Sequence, residues 1–127
     1  MPSSDRSSRG KPSRTETGRK YEKLAIAYFE DQGFNILQRN WRTGSREIDI
    51  ILRKENLIVF VEVKSVGSLK YGHPAERVDK HKIAHLTSAA QQYLADNNVS
   101  NTDLRFDVVT FVNGQLEHFP NAFPAEG

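Results

Sequence analysis

Cysteine is missing from the whole chain. That excludes a disulfide framework and any metal site built on thiolates. Long apolar runs are missing as well. Nothing approaches the roughly 20 residues that a membrane helix needs, and the first residues carry no apolar signal-peptide core. The expected setting is the cytoplasm, with no membrane partner. What the chain does have is charge: 27% of its residues are charged and 37% apolar. With 127 residues, that composition fits one soluble domain with an adequate core.

Net charge is also small, at +2, but its position is informative. Arg6, Arg9, Lys11 and Arg14 against Asp5 and Glu16 place that excess in the first seventeen residues. This segment, MPSSDRSSRGKPSRTETG, is rich in Ser, Arg, Gly and Pro. Such a composition predicts a disordered basic tail over 1–17, ahead of a folded domain over 18–127. Inside the domain, ten Lys/Arg fall between residues 39 and 82 against six acids. A basic region on a neutral domain suits nucleic acid. An ordinary solvated surface explains the same charge equally well.

The hydrophobic pattern predicts the order α-β-β-β-α-β-β, a mixed sheet flanked by helices. Tyr21, Leu24, Ala25 and Tyr28 recur at helical spacing between Arg19 and Gln32, and Gly33 is placed to cap that helix. FNILQRN, REIDIILR and LIVFVEVK read as three strands, the last two joined by a turn at Glu55-Asn56. A second helix runs from about Val78 to Asn97, with Ile83, Leu86, Ala90, Tyr93 and Leu94 on one face. LRFDVVTFV and QLEHF follow as strands around Asn113-Gly114, a strong hairpin signal.

The third strand raises a chemical question. Leu57 to Val61 are all apolar, yet Glu62 and Lys64 follow on one face. A two-residue turn at Glu55-Asn56 sets Asp49 opposite Glu62, and Glu47 opposite Lys64. Alternation then groups Glu47, Asp49, Glu62 and Lys64, with Ile48, Ile50, Val61 and Val63 on the other face. Opposed carboxylates repel by about 0.2–1 kcal/mol when exposed, and by more when buried. A hard divalent cation, Mg²⁺ or Mn²⁺, removes that repulsion and leaves positions for water and phosphate oxygens. Lys64 would point at the same ligand, and phosphodiester hydrolysis fits that set. The competing account is a surface ladder in which Lys64 bridges Glu47 and Glu62.

Read in order, these stretches resemble the restriction-endonuclease-like PD-(D/E)XK nucleases. More narrowly, the chain resembles the YraN family of small bacterial predicted endonucleases. The matching stretches are GRKYEKLAIAYFEDQGFNILQRNWR, EIDII, VFVEVKS, YGHPAERVDKHKIAHL and RFDVV, with EHFPNAF at the end. The resemblance implies a restriction-endonuclease-like fold and Mg²⁺-dependent catalysis by Asp49, Glu62 and Lys64. It also implies that Glu22 completes the metal site, directly or through water. Two residues depart from the family's pattern: Tyr21 and Arg46 each stand where glycine is usual.

The expected function is a metal-dependent endonuclease acting on nucleic acid, with DNA the expected substrate. Arg42, Arg46, Lys80 and Lys82 are the expected backbone contacts. The alternative is a nucleic-acid-binding protein that keeps a nuclease-like site and does not cut efficiently. A third reading is an interaction protein with a structural charge ladder. A homodimer would let two such sites cut two strands.

Other motifs carry less. GSLKYGHP has the outer glycine spacing of a P-loop without its Lys-Ser/Thr ending. His81 and His85 are spaced like zinc ligands on a helix, but no third ligand is apparent. Trp41, between Arg39 and Arg42, suits either base stacking or packing at a strand end. Asp107 reads as a structural acid paired with a cation.

Overall fold

The computed structural model describes residues 16–66 and 80–124. Residues 1–15 of the tail expected over 1–17 and the P-loop-like stretch lie outside these residues; Glu16 and Thr17, assigned to the tail, instead begin the first helix. The elements are α1 (Glu16–Asp31), β1 (Asn35–Thr43), β2 (Arg46–Lys54), β3 (Leu57–Val66), α2 (Lys80–Asp96), β4 (Asp103–Val112) and β5 (Gln115–Phe119). This is the expected α-β-β-β-α-β-β order. The strands form one five-stranded sheet in sequence order. Only the β3–β4 pair is parallel, with α2 lying between these strands in sequence. Parallel neighbours need such a crossover, whereas the antiparallel pairs need only turns.

A helix covers each face of the sheet, and the strand alternation sorts the core accordingly. Ile50, Leu52, Val59, Val61, Val109 and Phe111 pack with Ala25 and Phe29 of α1. Ile51, Ile58, Phe60, Phe106 and Val108 pack with Leu86, Ala89, Ala90 and Tyr93 of α2. β2 and β3 are thus buried on both sides, which explains their nearly continuous apolar runs. Phe60 and Phe106 stack at 5.5 Å, and Phe106 stacks in turn on Phe123 at 5.2 Å. Those contacts tie the residues after β5 to the α2 layer.

Both expected turn signals hold. Gly33 takes φ +92° and its N–H bonds the Glu30 carbonyl at 3.0 Å, closing α1. Asn113 and Gly114 both take positive φ, +51° and +82°, in the β4–β5 hairpin.

Three expectations are corrected. Leu24 is 44% exposed, and the buried face of α1 is Glu22, Ala25 and Phe29. The apolar stripe is rotated by the large Phe29 ring, and it brings a glutamate inward. Ile48 joins Ile51 beneath α2 and does not share the α1 face with Ile50. Ile48 pairs with Trp41 in β1, and the residue before it, Asn40, takes a left-handed φ of +52°; alternation breaks at this level of the sheet. Finally, the β2–β3 pairing follows the expected register from Lys54↔Leu57 to Ile50↔Val61 and then stops. Asp49 and Glu62 are not ladder partners, nor are Glu47 and Lys64. The Val63 N–H is taken by the Asp49 carboxylate at 2.8 Å, which substitutes for a ladder bond.

Candidate functional site

The site begins where that pairing ends. Asp49 and Glu62 are both buried acids, 8% and 9% exposed. They line a cavity of about 180 Å³ with Ser45, Arg46, Glu47, Val63, Lys82, His85 and Leu86. One water needs only about 10–15 Å³, so several waters and a phosphate group can enter. β2 and β3 supply the acids, and α2 supplies the opposite wall.

The electrostatics are unusual for a stable core. Burial, and then the charge of Glu62, push the Asp49 carboxyl well above the usual carboxylate range. The Val63 N–H opposes that shift, and the charges of Glu22 and Glu47 add to it. Among the described residues, Lys82 answers Glu62 directly. Lys82 Nζ sits 3.2 Å from Glu62 Oε2. Partial burial pulls the Lys82 ammonium down, but the charge and hydrogen bond of Glu62 outweigh it, so it holds its proton more firmly than a free lysine.

Glu22 reaches the same region from α1. It is 4% exposed, and its Oε1 accepts a hydrogen bond from Asn40 Nδ2 at 3.0 Å. The residue with left-handed φ within β1, Asn40, therefore also anchors this glutamate. Lys64 keeps the expected face with Glu62, since Val61 and Val63 pack on the α1 side. It is half-buried opposite Thr110, and it is not among the cavity's lining residues. Arg46 lines the cavity, Arg42 is exposed on β1, and Lys80 is exposed at the start of α2.

Among the described residues, no three His, Asp or Glu side chains stand close enough to hold one metal ion together. The acids still fit a hard cation. Mg²⁺ commonly takes one or two carboxylates and completes its sphere with water and phosphate oxygens. Asp49 and Glu62 are oxygen donors of that type, buried in one cavity. Glu22 contributes negative potential at Asp49.

The sequence reading missed two features here. Lys82 was expected only as a phosphate contact, and its pairing with Glu62 depends on how α2 docks. His85 has zinc-like spacing from His81 but no apparent third ligand in the sequence; their rings lie 4.8 Å apart, and His85 lines the carboxylate cavity. Trp41 packs edge-on to Tyr93 at 5.4 Å, the packed alternative of the two expected for it.

Asp107 belongs to a separate cluster. Arg105 grips it with two 2.8 Å bonds, His118 Nε2 lies at 2.7 Å and the Asn121 N–H at 2.9 Å. Tyr28 Oη meets the other His118 nitrogen at 3.0 Å, linking α1 to the β4–β5 end. Burial pushes the Asp107 carboxyl up, but His118, Arg105 and the Asn121 N–H together hold it below its usual range. That is the structural acid expected from RFDVV.

Comparison with known proteins places the chain. Residues 21–111 match the model of the Uncharacterised protein family UPF0102. The chain belongs to this family. It is 46% identical to the UPF0102 protein of Chloroherpeton thalassium over 106 residues, covering 84% of this chain and 81% of that one. A UPF0102 protein of Sulfurihydrogenibium sp. is 39% identical over 113 residues, covering 89% and 98%. One from Clostridioides difficile is 40% identical over 104 residues, covering 80% and 91%. The matched UPF0102 segment contains Glu22, Asp49, Glu62, Lys64 and Lys82, and it ends near the close of β4. No helix among the described residues is long and apolar enough to cross a membrane.

Proposed function

We propose that this chain is a metal-dependent endonuclease that hydrolyses phosphodiester bonds, with DNA as its substrate. The observation that carries the reading is the pair Asp49 and Glu62. Two buried carboxylates meet in an open cavity where the strand pairing stops, and basic side chains rim them. The resemblance to the YraN family and to restriction-endonuclease-like nucleases supports it, because the same residues occupy that pattern's acid and lysine positions.

Asp49 and Glu62 would hold Mg²⁺ or Mn²⁺. When bound, that ion supplies positive charge at the phosphate and a more acidic water. The chain's own residues do the rest. The Val63 N–H fixes the orientation of the Asp49 carboxylate. Asn40 fixes Glu22, whose negative charge favours a cation at Asp49. Arg46 and Lys82, on the cavity wall, attract the phosphodiester. Lys64, on the Glu62 face of β3, stabilises charge developing on phosphorus or orients the attacking water.

The test is cleavage of duplex, single-stranded and branched DNA, and of RNA, with Mg²⁺ or Mn²⁺. Activity is expected to require the metal and to vanish in Asp49→Ala, Glu62→Ala and Lys64→Ala. Robust cleavage in excess chelator, or full activity in Asp49→Ala, would falsify the assignment. Salt-dependent binding without cleavage, over all substrates, would instead favour a nucleic-acid-binding protein that retains the site.

A further inference from the structure

One contact in the site is not explained by phosphate binding. Lys82 Nζ lies on Glu62 Oε2 at 3.2 Å, inside the cavity lined by Asp49. Glu62 sits within β3, paired with Val108 of β4, and its side chain is largely buried. The Lys82 side chain is 44% exposed against 11% for Glu62. It reaches inward from α2 on a flexible stem, and rotamer changes alone can return it to solvent. We propose that Lys82 is a built-in counter-cation that competes with the metal for Glu62, so that metal and phosphodiester load together.

The inference rests on the metal-site reading above. A divalent ion held by Glu62 would compete with the Lys82 ammonium for the same carboxylate. Entry of the ion releases Lys82 at the cavity wall, beside Arg46. A released ammonium gains most from an anion, and the phosphodiester is that anion. Metal and phosphate thus both favour the swung-out Lys82. Two ligands that favour one state bind with positive coupling, and the coupling is reciprocal. In the absence of metal, the same lysine offsets part of the repulsion between the acids.

The experiment is Mn²⁺ titration by calorimetry on the full chain, with and without a phosphorothioate DNA duplex that resists cleavage. The variants are Lys82→Met, Lys82→Arg, Arg46→Met and Asp49→Asn, each checked by circular dichroism. A partly exposed ion pair is worth up to about 1 kcal/mol, or roughly fivefold in affinity. Lys82→Met should therefore bind Mn²⁺ about fivefold tighter than wild type without DNA. The duplex should tighten Mn²⁺ binding in wild type and much less in Lys82→Met. Lys82→Arg should stay close to wild type. Arg46→Met removes an equal charge that does not touch Glu62, and should change Mn²⁺ affinity less than twofold.

Equal or weaker Mn²⁺ binding in Lys82→Met, with binding abolished in Asp49→Asn, overturns the counter-cation role and leaves the metal site standing. Equal gains in Lys82→Met and Arg46→Met also overturn it, since only the general field then matters. No Mn²⁺ binding in wild type or Lys82→Met, with or without DNA, removes the metal site and this inference with it.

Discussion

Asp49→Asn should stabilise the metal-free protein. The substitution keeps the shape of the side chain, and its amide oxygen can still accept the Val63 N–H. What it removes is a charge buried beside Glu62. Two like charges in contact, at about 4 Å, would repel by about 4 kcal/mol at an effective dielectric of 20, which bounds the repulsion of this pair from above. Lys82 on Glu62 offsets up to about 1 kcal/mol of this. Replacing a charged acceptor by a neutral one weakens the Val63 bond by about another 1 kcal/mol. A net gain of about 1–2 kcal/mol remains, or about 3–6 °C in Tm for a domain of this size. The pH dependence has a definite sign. Burial and Glu62 raise the folded-state pKa of Asp49 above 3.8. The protonated form is therefore favoured on folding, and that contribution is complete below the unfolded value. It is lost as pH rises through the folded value. The melting gap between Asp49→Asn and wild type should be small at acid pH and widen toward neutral. Scanning fluorimetry in chelator measures it. Added Mn²⁺ should raise the wild-type Tm by mass action and leave the mutant nearly unchanged. A marked loss of stability in metal-free Asp49→Asn, with no metal response in wild type, would refute the reasoning and point to a structural charge ladder.

Three further outcomes are expected. Asp107→Asn breaks the grip of Arg105 and His118 inside the fold and should cost about 2–4 kcal/mol in urea unfolding. Because the folded carboxyl of Asp107 is held below its usual range, wild type keeps this contribution above about pH 4 and loses it as pH falls through the depressed value; the mutant should show a flatter acid limb. Gly114→Ala meets no close atom, since the nearest is Tyr21 Oη at 4.0 Å, so its cost of about 1–2 kcal/mol should come from the φ of +82° alone and vary little with temperature. Affinity for DNA should fall steeply with salt, and charge reversal at Arg42 or Lys82 should weaken it more than reversal at Arg6; equal losses at all three would place the binding face elsewhere.

The element order and most of the β2–β3 register could be read from the sequence because both are local. Alternation in LIVFVEVKS and the Glu55-Asn56 turn determine which side chains share a face, whatever packs above them. Glu55 does take a positive φ, +54°, as a tight turn requires. The fourth and fifth strands were equally legible from Asn113-Gly114. Errors entered where a side chain competes with the backbone. A Glu62 ladder partner was expected for Asp49 from register, but its carboxylate captures the Val63 N–H and ends the ladder. Ile48 changes face near the left-handed Asn40, a conformation that Asn tolerates but sequence alone does not demand.

Glu22 shows why the site was only half legible. It reads as a border residue of α1 if Tyr21, Leu24 and Tyr28 define the stripe. With Phe29 as the anchor, positions 22, 25 and 29 define the stripe, and the glutamate is part of it. A buried acid in an apolar stripe needs a partner, and Asn40 supplies the hydrogen bond. The left-handed φ at Asn40, the end of the β2–β3 ladder at Asp49 and the inward turn of Glu22 therefore occur at one level of the sheet. Each is a local departure from regular structure: Asp49 lines the cavity, and Glu22, held by Asn40, acts on Asp49 through its charge without lining the cavity itself. A fold optimised only for stability would pair these strands through and place apolar residues at 22, 49 and 62. Departures from local rules that converge on one place are the expected mark of a site kept for chemistry. That convergence separates the carboxylate cavity from the Asp107 cluster, where the buried acid is gripped by Arg105, His118 and the Asn121 N–H.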